Sequence, residues 1–308
     1  MPCWQLVLAV LVGALALLGT NSIPPALSPE ARANIRGSVV LITGSSSGIG
    51  AELAEQYGAL GARVVLAARR AGELEGVAAR VRAAGGAALA VPTDMASAAD
   101  VDALVAAAGA AFGGLDTVVV NHAMFDDGLF VEHADAASLE ATLGAQLRVN
   151  VLGAAFLLRA ALPLLEASAR GGRAVEVSSG TVKIAAPFHA GYGASKSGSH
   201  GLFRHVGAEL ALLRSNVSVT SCILGMIGTP DVLRHKGLVS SAYPVADTAR
   251  GIIEAAAARV KTAYVPLWIS VGTWLAFLSE RVEHVFMNDF YTKKVPEYVA
   301  KLEALRRN

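Results

Sequence analysis

The chain has 308 residues, of which 54% are hydrophobic and 17% charged, with a formal net charge of +1. That length suits one large α/β domain with an added anchor better than two equal domains. The near-neutral charge gives no reason to expect nucleic acid as a partner, because a phosphate-binding surface carries a basic excess.

Residues 1–22 read as a membrane anchor. Trp4 to Gly19 carries no charge and is almost wholly aliphatic, at the short end of the ~20 apolar residues a spanning helix needs. A cleaved signal peptide is the alternative. The small-residue stretch Gly19-Thr20-Asn21-Ser22 keeps it open, and the lack of Lys or Arg before the run speaks against it. Ile23-Pro24-Pro25 then ends the helix, since proline has no amide donor and fixes its own φ, and 23–36 reads as a linker. Of the two cysteines, Cys3 lies in the anchor and Cys222 in the domain. No disulfide is expected, so neither reports the redox compartment.

From Gly37 short apolar runs alternate with amphipathic stretches. Val39–Ile42, Arg63–Ala67, Ala87–Val91, Thr117–Val120, Ala174–Ser178 and Val217–Ile223 read as strands separated by helical patterns. Ile49, Leu53, Tyr57 and Leu60, at helical spacing, mark the first helix. Strands alternating with helices predict parallel βαβ units. The fold class is therefore α/β, a Rossmann-like doubly wound parallel sheet with helices on both faces, over 37–265. Ligands belong beyond the carboxyl ends of its strands.

The motifs sit at those ends. Thr43-Gly44-Ser45-Ser46-Ser47-Gly48-Ile49-Gly50 follows the first strand and opens the first helix. Its glycines let backbone approach a pyrophosphate, and the helix N-terminus offers free amides. A plain structural turn is the other reading of such a loop. The second strand ends Ala67-Ala68-Arg69-Arg70. A carboxylate there would bind the ribose 2′-hydroxyl of NAD. Two guanidiniums suit the extra phosphate of NADP(H) instead, with Arg69 the stronger candidate and Arg70 more readily a solvated helix-start residue. Tyr192-Gly193-Ala194-Ser195-Lys196 puts Tyr192 and Lys196 at i,i+4 on one helical face. A nearby cation favours phenolate and lowers a tyrosine's pKa, so Tyr192 can give a proton to a carbonyl or take one from an alcohol. Asn150 sits in a long apolar helix, where an amide costs free energy unless hydrogen-bonded.

Together these motifs resemble the short-chain dehydrogenase/reductase family over about Ser38 to Val265. The resemblance implies a catalytic set of Asn150, Ser179, Tyr192 and Lys196. Ser179, thirteen residues before Tyr192, hydrogen-bonds the substrate oxygen; Ser178 is the neighbouring candidate. Asn150 holds a water in a relay to the lysine. It also implies that Asp94, with Met95, faces the adenine, although Thr93-Asp94 also reads as a helix cap. Asn121-His122-Ala123 stands where most members have N-N-A-G. His122 replaces the second Asn and Met124 the Gly, and His122 reads as a hydrogen-bonded structural residue rather than a base. In Leu224-Gly225-Met226-Ile227-Gly228-Thr229 the usual P-G entry to the nicotinamide side is replaced; Ile227 and Thr229 remain cofactor contacts. No metal site is expected.

The N-H-x and L-G-x-I-x-T departures, the anchor and Asn216-Val217-Ser218 resemble the 11β-hydroxysteroid dehydrogenase type 1 group within that family. This implies an NADP(H) enzyme of the endoplasmic reticulum membrane, its domain in the lumen, acting on a steroid or similar lipid ketone or alcohol. A retinoid or long-chain lipid carbonyl is the runner-up substrate, and a cofactor-binding scaffold without turnover the rival function. Asn216 begins a glycosylation acceptor, consistent with a luminal domain. The positive-inside rule points weakly the other way, through Arg32 and Arg36 after the anchor. Residues 266–308 read as a helical extension, membrane-facing or forming a homodimer, on the strength of Trp268, Trp274, Leu275 and Phe277.

Overall fold

The computed structural model describes residues 24–126, 128–230, 232–233, 242–270, 273, 299–300 and 303–304. The proposed anchor, Trp274 and most of the C-terminal extension lie outside them. The segment expected to be a linker holds a short helix, α1 (Pro29–Ile35), whose N-cap Ser28 accepts a hydrogen bond from the Ala31 amide. Leu27 and Ile35 pack against the core, so the chain is already docked before the first strand.

Seven strands follow: β1 (Val39–Thr43), β2 (Arg63–Ala68), β3 (Ala87–Pro92), β4 (Thr117–Val120), β5 (Arg173–Ser179), β6 (Ser218–Leu224) and β7 (Thr262–Val265). They form one sheet in the order β3-β2-β1-β4-β5-β6-β7, parallel throughout. The order reverses between β1 and β4, which opens the crevice of a doubly wound sheet at their carboxyl ends. The six expected strands are present with ends shifted by at most one residue. β7 was not expected: it is four residues long, and only Ala263 and Val265 are buried, too short a run to stand out as a strand.

The central strands are apolar on both faces because helices cover both. α2 (Gly48–Ala59), α3 (Ala71–Ala83) and α7 (Val245–Ala257) bury Leu53, Tyr57, Leu74, Val81 and Ile252 against one face. α4 (Ala98–Phe112), α5 (Ala136–Glu166) and α6 (Ala190–Leu212) bury Leu104, Leu157, Leu165 and Phe203 against the other. α5 is long and apolar enough to cross a bilayer, but Ala154, Leu157, Leu158, Ala161 and Leu165 face this core and it carries buried Gln146 and Asn150. Two stretches of α5, Glu140–Gly144 and Arg148–Leu152, are π-helical, a local widening often found at functional sites.

Candidate active site and cofactor cleft

β1 ends in a knot of hydrogen bonds. The Thr43 hydroxyl oxygen accepts the amides of Asn121 (3.1 Å) and His122 (3.3 Å), and lies 2.8 Å from His122 Nδ1. His122 Nε2 lies 3.1 Å from the Val149 carbonyl in α5. A carbonyl only accepts, so Nε2 carries the proton and Nδ1 accepts from Thr43. Burial, with the nearby Lys196 charge, pushes His122 down to about 4, so it is neutral at physiological pH. It is structural, as expected. The knot ties the tips of β1 and β4 to the wall of α5.

The loop after β1 then has no room for a side chain at Gly44 or Gly50. Gly44 has φ +65°, and a Cβ there would lie 2.8 Å from His122 Cα. One on Gly50 would lie 2.3 Å from the Gly44 carbonyl. α2 begins at Gly48 with no side-chain cap, so its first amides have no partner within the helix. Ser45 is buried and bonded to the Ala67 carbonyl, which fastens the loop to β2. Thr229 reaches the loop from the segment after β6, its Cγ2 3.3 Å from where a Gly48 Cβ would stand, while Ile227 is buried beside it. Backbone amides, missing Cβ atoms and a converging threonine make a cradle that fits a dinucleotide pyrophosphate.

The arginine expectation needs revising. Arg70 donates to the hydroxyls of Ser46 (2.9 Å) and Ser47 (3.2 Å) on that loop and pairs with Glu73 at 3.5 Å. Arg69 is exposed and makes no hydrogen bond or ion pair among the described residues. At the end of a strand one residue turns toward the neighbouring loop and the next turns away, and here Arg70 is the one that faces the cradle. Asp94 is exposed after β3, its carboxylate accepting the Ala96 amide at 2.9 Å. The N-cap of α4 is Ser97 rather than Asp94. Met95 is buried beside it.

Asn121 and Asn150 hold the opposite wall. Asn121 Nδ2 donates to the Thr43 and Gly44 carbonyls at 3.0 and 3.2 Å. Asn150, buried in the second π-helical stretch, accepts the Met124 amide at 2.7 Å and donates to the Met124 carbonyl at 2.8 Å and to Ser195 Oγ at 2.9 Å. Its side chain is thereby a clamp between α5, α6 and the loop after β4. Ala123 is exposed between the two clamped residues.

Ser179, Tyr192 and Lys196 converge beside this wall. Tyr192 shares a hydrogen bond with Ser179, and Ser179 Oγ also accepts from the Thr181 hydroxyl at 3.0 Å. Ser178 is buried with no hydrogen-bond partner for its hydroxyl among the described residues, so Ser179 is the serine that meets the tyrosine. Lys196 Nζ donates to the Val177 carbonyl at 3.0 Å and lies 5.9 Å from the Tyr192 ring centroid. Burial dominates and pushes Tyr192 up to about 12, with the Ser179 hydrogen bond opposing it. Burial also pushes Lys196 below the usual lysine range.

Next to Tyr192 lies an apolar cavity of about 520 Å³, lined by Leu129, Phe130, Val131, Ala185, Pro187 and Phe188 among others. Thr181 and Gly193 join it to the Ser179–Tyr192 pair. Phe125 stands edge-on to the Tyr192 ring, centroids 4.9 Å apart. Residues 128–131 and 185–190 supply most of that lining; the sequence signal for the second segment is the bulky Pro187-Phe188-His189 immediately before α6.

A family model described as short chain dehydrogenase matches residues 38–235. The hydroxysteroid 11-beta-dehydrogenase 1-like protein of Danio rerio is 37% identical over 262 residues, covering 81% of this chain and 87% of its own. The protein so named from Gallus gallus is 36% identical over 281 residues, covering 90% and 94%. Among solved structures, a short chain dehydrogenase/reductase from Burkholderia phymatum in complex with NAD has a TM-score of 0.72 and 25% identity, covering 81% of this chain and 96% of that one.

Proposed function

Because the chain belongs to the short-chain dehydrogenase family, an oxidoreductase family that uses a nicotinamide cofactor, we propose that it interconverts a carbonyl and a secondary alcohol on a steroid or similar lipid with NADP(H). The observation that carries this reading is the convergence of Ser179, Tyr192 and Lys196 beside an apolar cavity of about 520 Å³ whose lining residue Thr181 donates to Ser179, a volume within the usual range for small-molecule sites.

In this reading the Gly44–Gly50 loop holds the pyrophosphate and Arg70 the 2′-phosphate. Asp94 and Met95 border the adenine, and Asn121, His122, Ala123, Ile227 and Thr229 the nicotinamide side. The nicotinamide, when bound, supplies or takes up the hydride. Ser179 holds the substrate oxygen and Tyr192 moves the proton to or from it. Burial holds Tyr192 as the neutral phenol, the form that gives a proton to a carbonyl. Lys196 and a water near Asn150 relay a proton from solvent back to Tyr192 after reduction, and in the opposite sense after oxidation.

The apolar lining and the names of the relatives support a steroid or another lipid; a retinoid or long-chain lipid carbonyl fits the same cavity chemistry. A homodimer, and attachment to the endoplasmic reticulum membrane through residues 1–22, belong to the same proposal. The test is turnover of a panel of steroid, retinoid and long-chain carbonyls by the full-length protein with NADPH. The native protein is expected to oxidise NADPH with at least one of them. Tyr192→Phe is expected to lose about 10²–10⁴-fold while keeping its melting temperature. Tight NADPH binding without oxidation by any of them would favour the scaffold reading, which the departure from the family pattern at Met124 motivates.

A further inference from the structure

Glu176 sits in the middle of β5, 1% exposed, where an apolar side chain would serve packing as well. Its direct strand partner, Ser221 on β6, donates to Oε2 at 2.7 Å. Ser199 on α6 donates to Oε1 at 3.1 Å, and His200 Nδ1 lies 3.1 Å from Oε2. An ionised carboxylate only accepts, so the imidazole presents Nδ1–H. Three donors from two elements are thus aimed at one buried carboxylate, the arrangement that lets a charge remain in a protein interior.

The placement of those donors relates Glu176 to the reaction centre. Ser199 and His200 follow Lys196 by three and four residues, one turn along the same face of α6. The next residue of β5, Val177, receives the Lys196 ammonium on its carbonyl. Two successive residues of one strand therefore grip two successive turns of one helix, the first by charge and the second by a carbonyl.

We propose that Glu176 is a positioning residue, the buried counter-charge that keeps Lys196 an ammonium and thereby sets the pH range over which Tyr192 transfers its proton. The proposal rests on the reading of Tyr192 and Lys196 as the proton-transfer pair. The titratable groups around Glu176 are Tyr192, Lys196 and His200 from α6 and Cys222 from β6. His122, at the end of β4, stays neutral. Burial disfavours the Lys196 ammonium, and Glu176 opposes that loss; the same charge disfavours a Tyr192 phenolate and a Cys222 thiolate. Removing the charge therefore makes both Lys196 and Tyr192 give up protons more readily. Both limbs of a pH profile move the same way, toward acid.

The experiment is Glu176→Gln in the full-length protein, which keeps the shape and a carbonyl acceptor. Two readouts are taken: the pH dependence of carbonyl reduction, and the titration of the Lys196 nitrogen in ¹⁵N-lysine-labelled protein, assigned by its absence from Lys196→Arg. Both are expected to shift toward acid by about one pH unit, with Glu176→Asp restoring much of the native profile. If Glu176→Gln does not fold, Ser199→Ala and Ser221→Ala each remove a donor, raise the carboxylate's proton affinity and shift the titration in the same direction by less. An unmoved Lys196 titration in every folded variant overturns the proposal. A shifted titration in a protein with no turnover upholds the Glu176–Lys196 coupling and overturns the oxidoreductase reading instead.

Discussion

Single residues here are governed by how little space and solvent they have. His122 occupies a position where an asparagine is usual in this family, and it is held neutral with both ring nitrogens bonded. Its folded-state pKa of about 4 lies below the unfolded value of 6.5. The unfolded chain thus binds the extra proton first, and the stability contributed by neutral His122 is present above pH 6.5 and lost as pH falls toward 4. That loss is on the order of 3 kcal/mol. Urea unfolding at pH 7 and pH 4.5 is expected to show that decline in the native protein and a smaller one in His122→Asn. Equal declines would assign the acid sensitivity elsewhere. Arg70 is the residue that decides cofactor choice in our reading, because its guanidinium already rests on Ser46 and Ser47. Titration with NADPH and NADH is expected to show a preference for NADPH that Arg70→Asp reverses and Arg69→Asp changes little. A larger effect at Arg69 would move the phosphate site to the outer face of the loop.

Among the elements, α5 is the one whose irregularity has a purpose. Its second π-helical stretch, Arg148–Leu152, turns Asn150 toward the loop after β4, while the Val149 carbonyl is bonded by His122. Asn150→Ala would leave the Met124 amide and carbonyl, and Ser195, short of a partner in a buried site. Each such loss costs about 1–3 kcal/mol, so a fall in melting temperature is expected. Turnover should fall further than that loss of fold explains, because the same loop carries Phe125 against Tyr192. Measuring kcat on the folded fraction separates the two effects. Activity restored to native levels at low temperature, where the variant is folded, would reduce Asn150 to a purely structural clamp. The periodicity of α5 was plain in the sequence as an apolar helix. The π-helical widening was not, since one extra residue in a turn leaves the composition unchanged and depends on what packs alongside.

At the scale of the whole molecule, the proposed membrane attachment makes the side that the domain occupies a testable property. Asn216 is exposed in the turn before β6, its Nδ2 donating weakly to the Glu166 carbonyl at 3.3 Å, so an attached sugar has room. Trp268 and Leu267 are 53% and 38% exposed just beyond β7, as an interfacial or dimer-forming surface requires. With a luminal domain, microsomes carrying the full-length protein are expected to protect it from protease. Deglycosylation should raise its mobility, and Asn216→Gln should abolish that change. Digestion in intact microsomes with no mobility change would place the domain on the cytosolic face.

The sequence by itself determined six of the seven strands and the motifs at their carboxyl ends. Uninterrupted apolar runs such as Val39–Thr43 can only be central strands covered on both faces, and Gly44, Gly48 and Gly50 stand where the chain turns or approaches itself too closely for a Cβ. Tyr192 and Lys196 share a face because a helix repeats every 3.6 residues. These are local rules, so neighbouring residues suffice to read them. The tertiary structure alone showed that Arg70, rather than Arg69, rests on the loop after β1. It alone brought the 185–190 segment to the cavity. It also decided the sign of the Tyr192 shift, where burial outweighs the Ser179 hydrogen bond, and set Glu176 against Ser199 and His200, one helical turn beyond Lys196. Burial and charge act through space, and distances between residues far apart in the chain exist only once the sheet and its helices have packed.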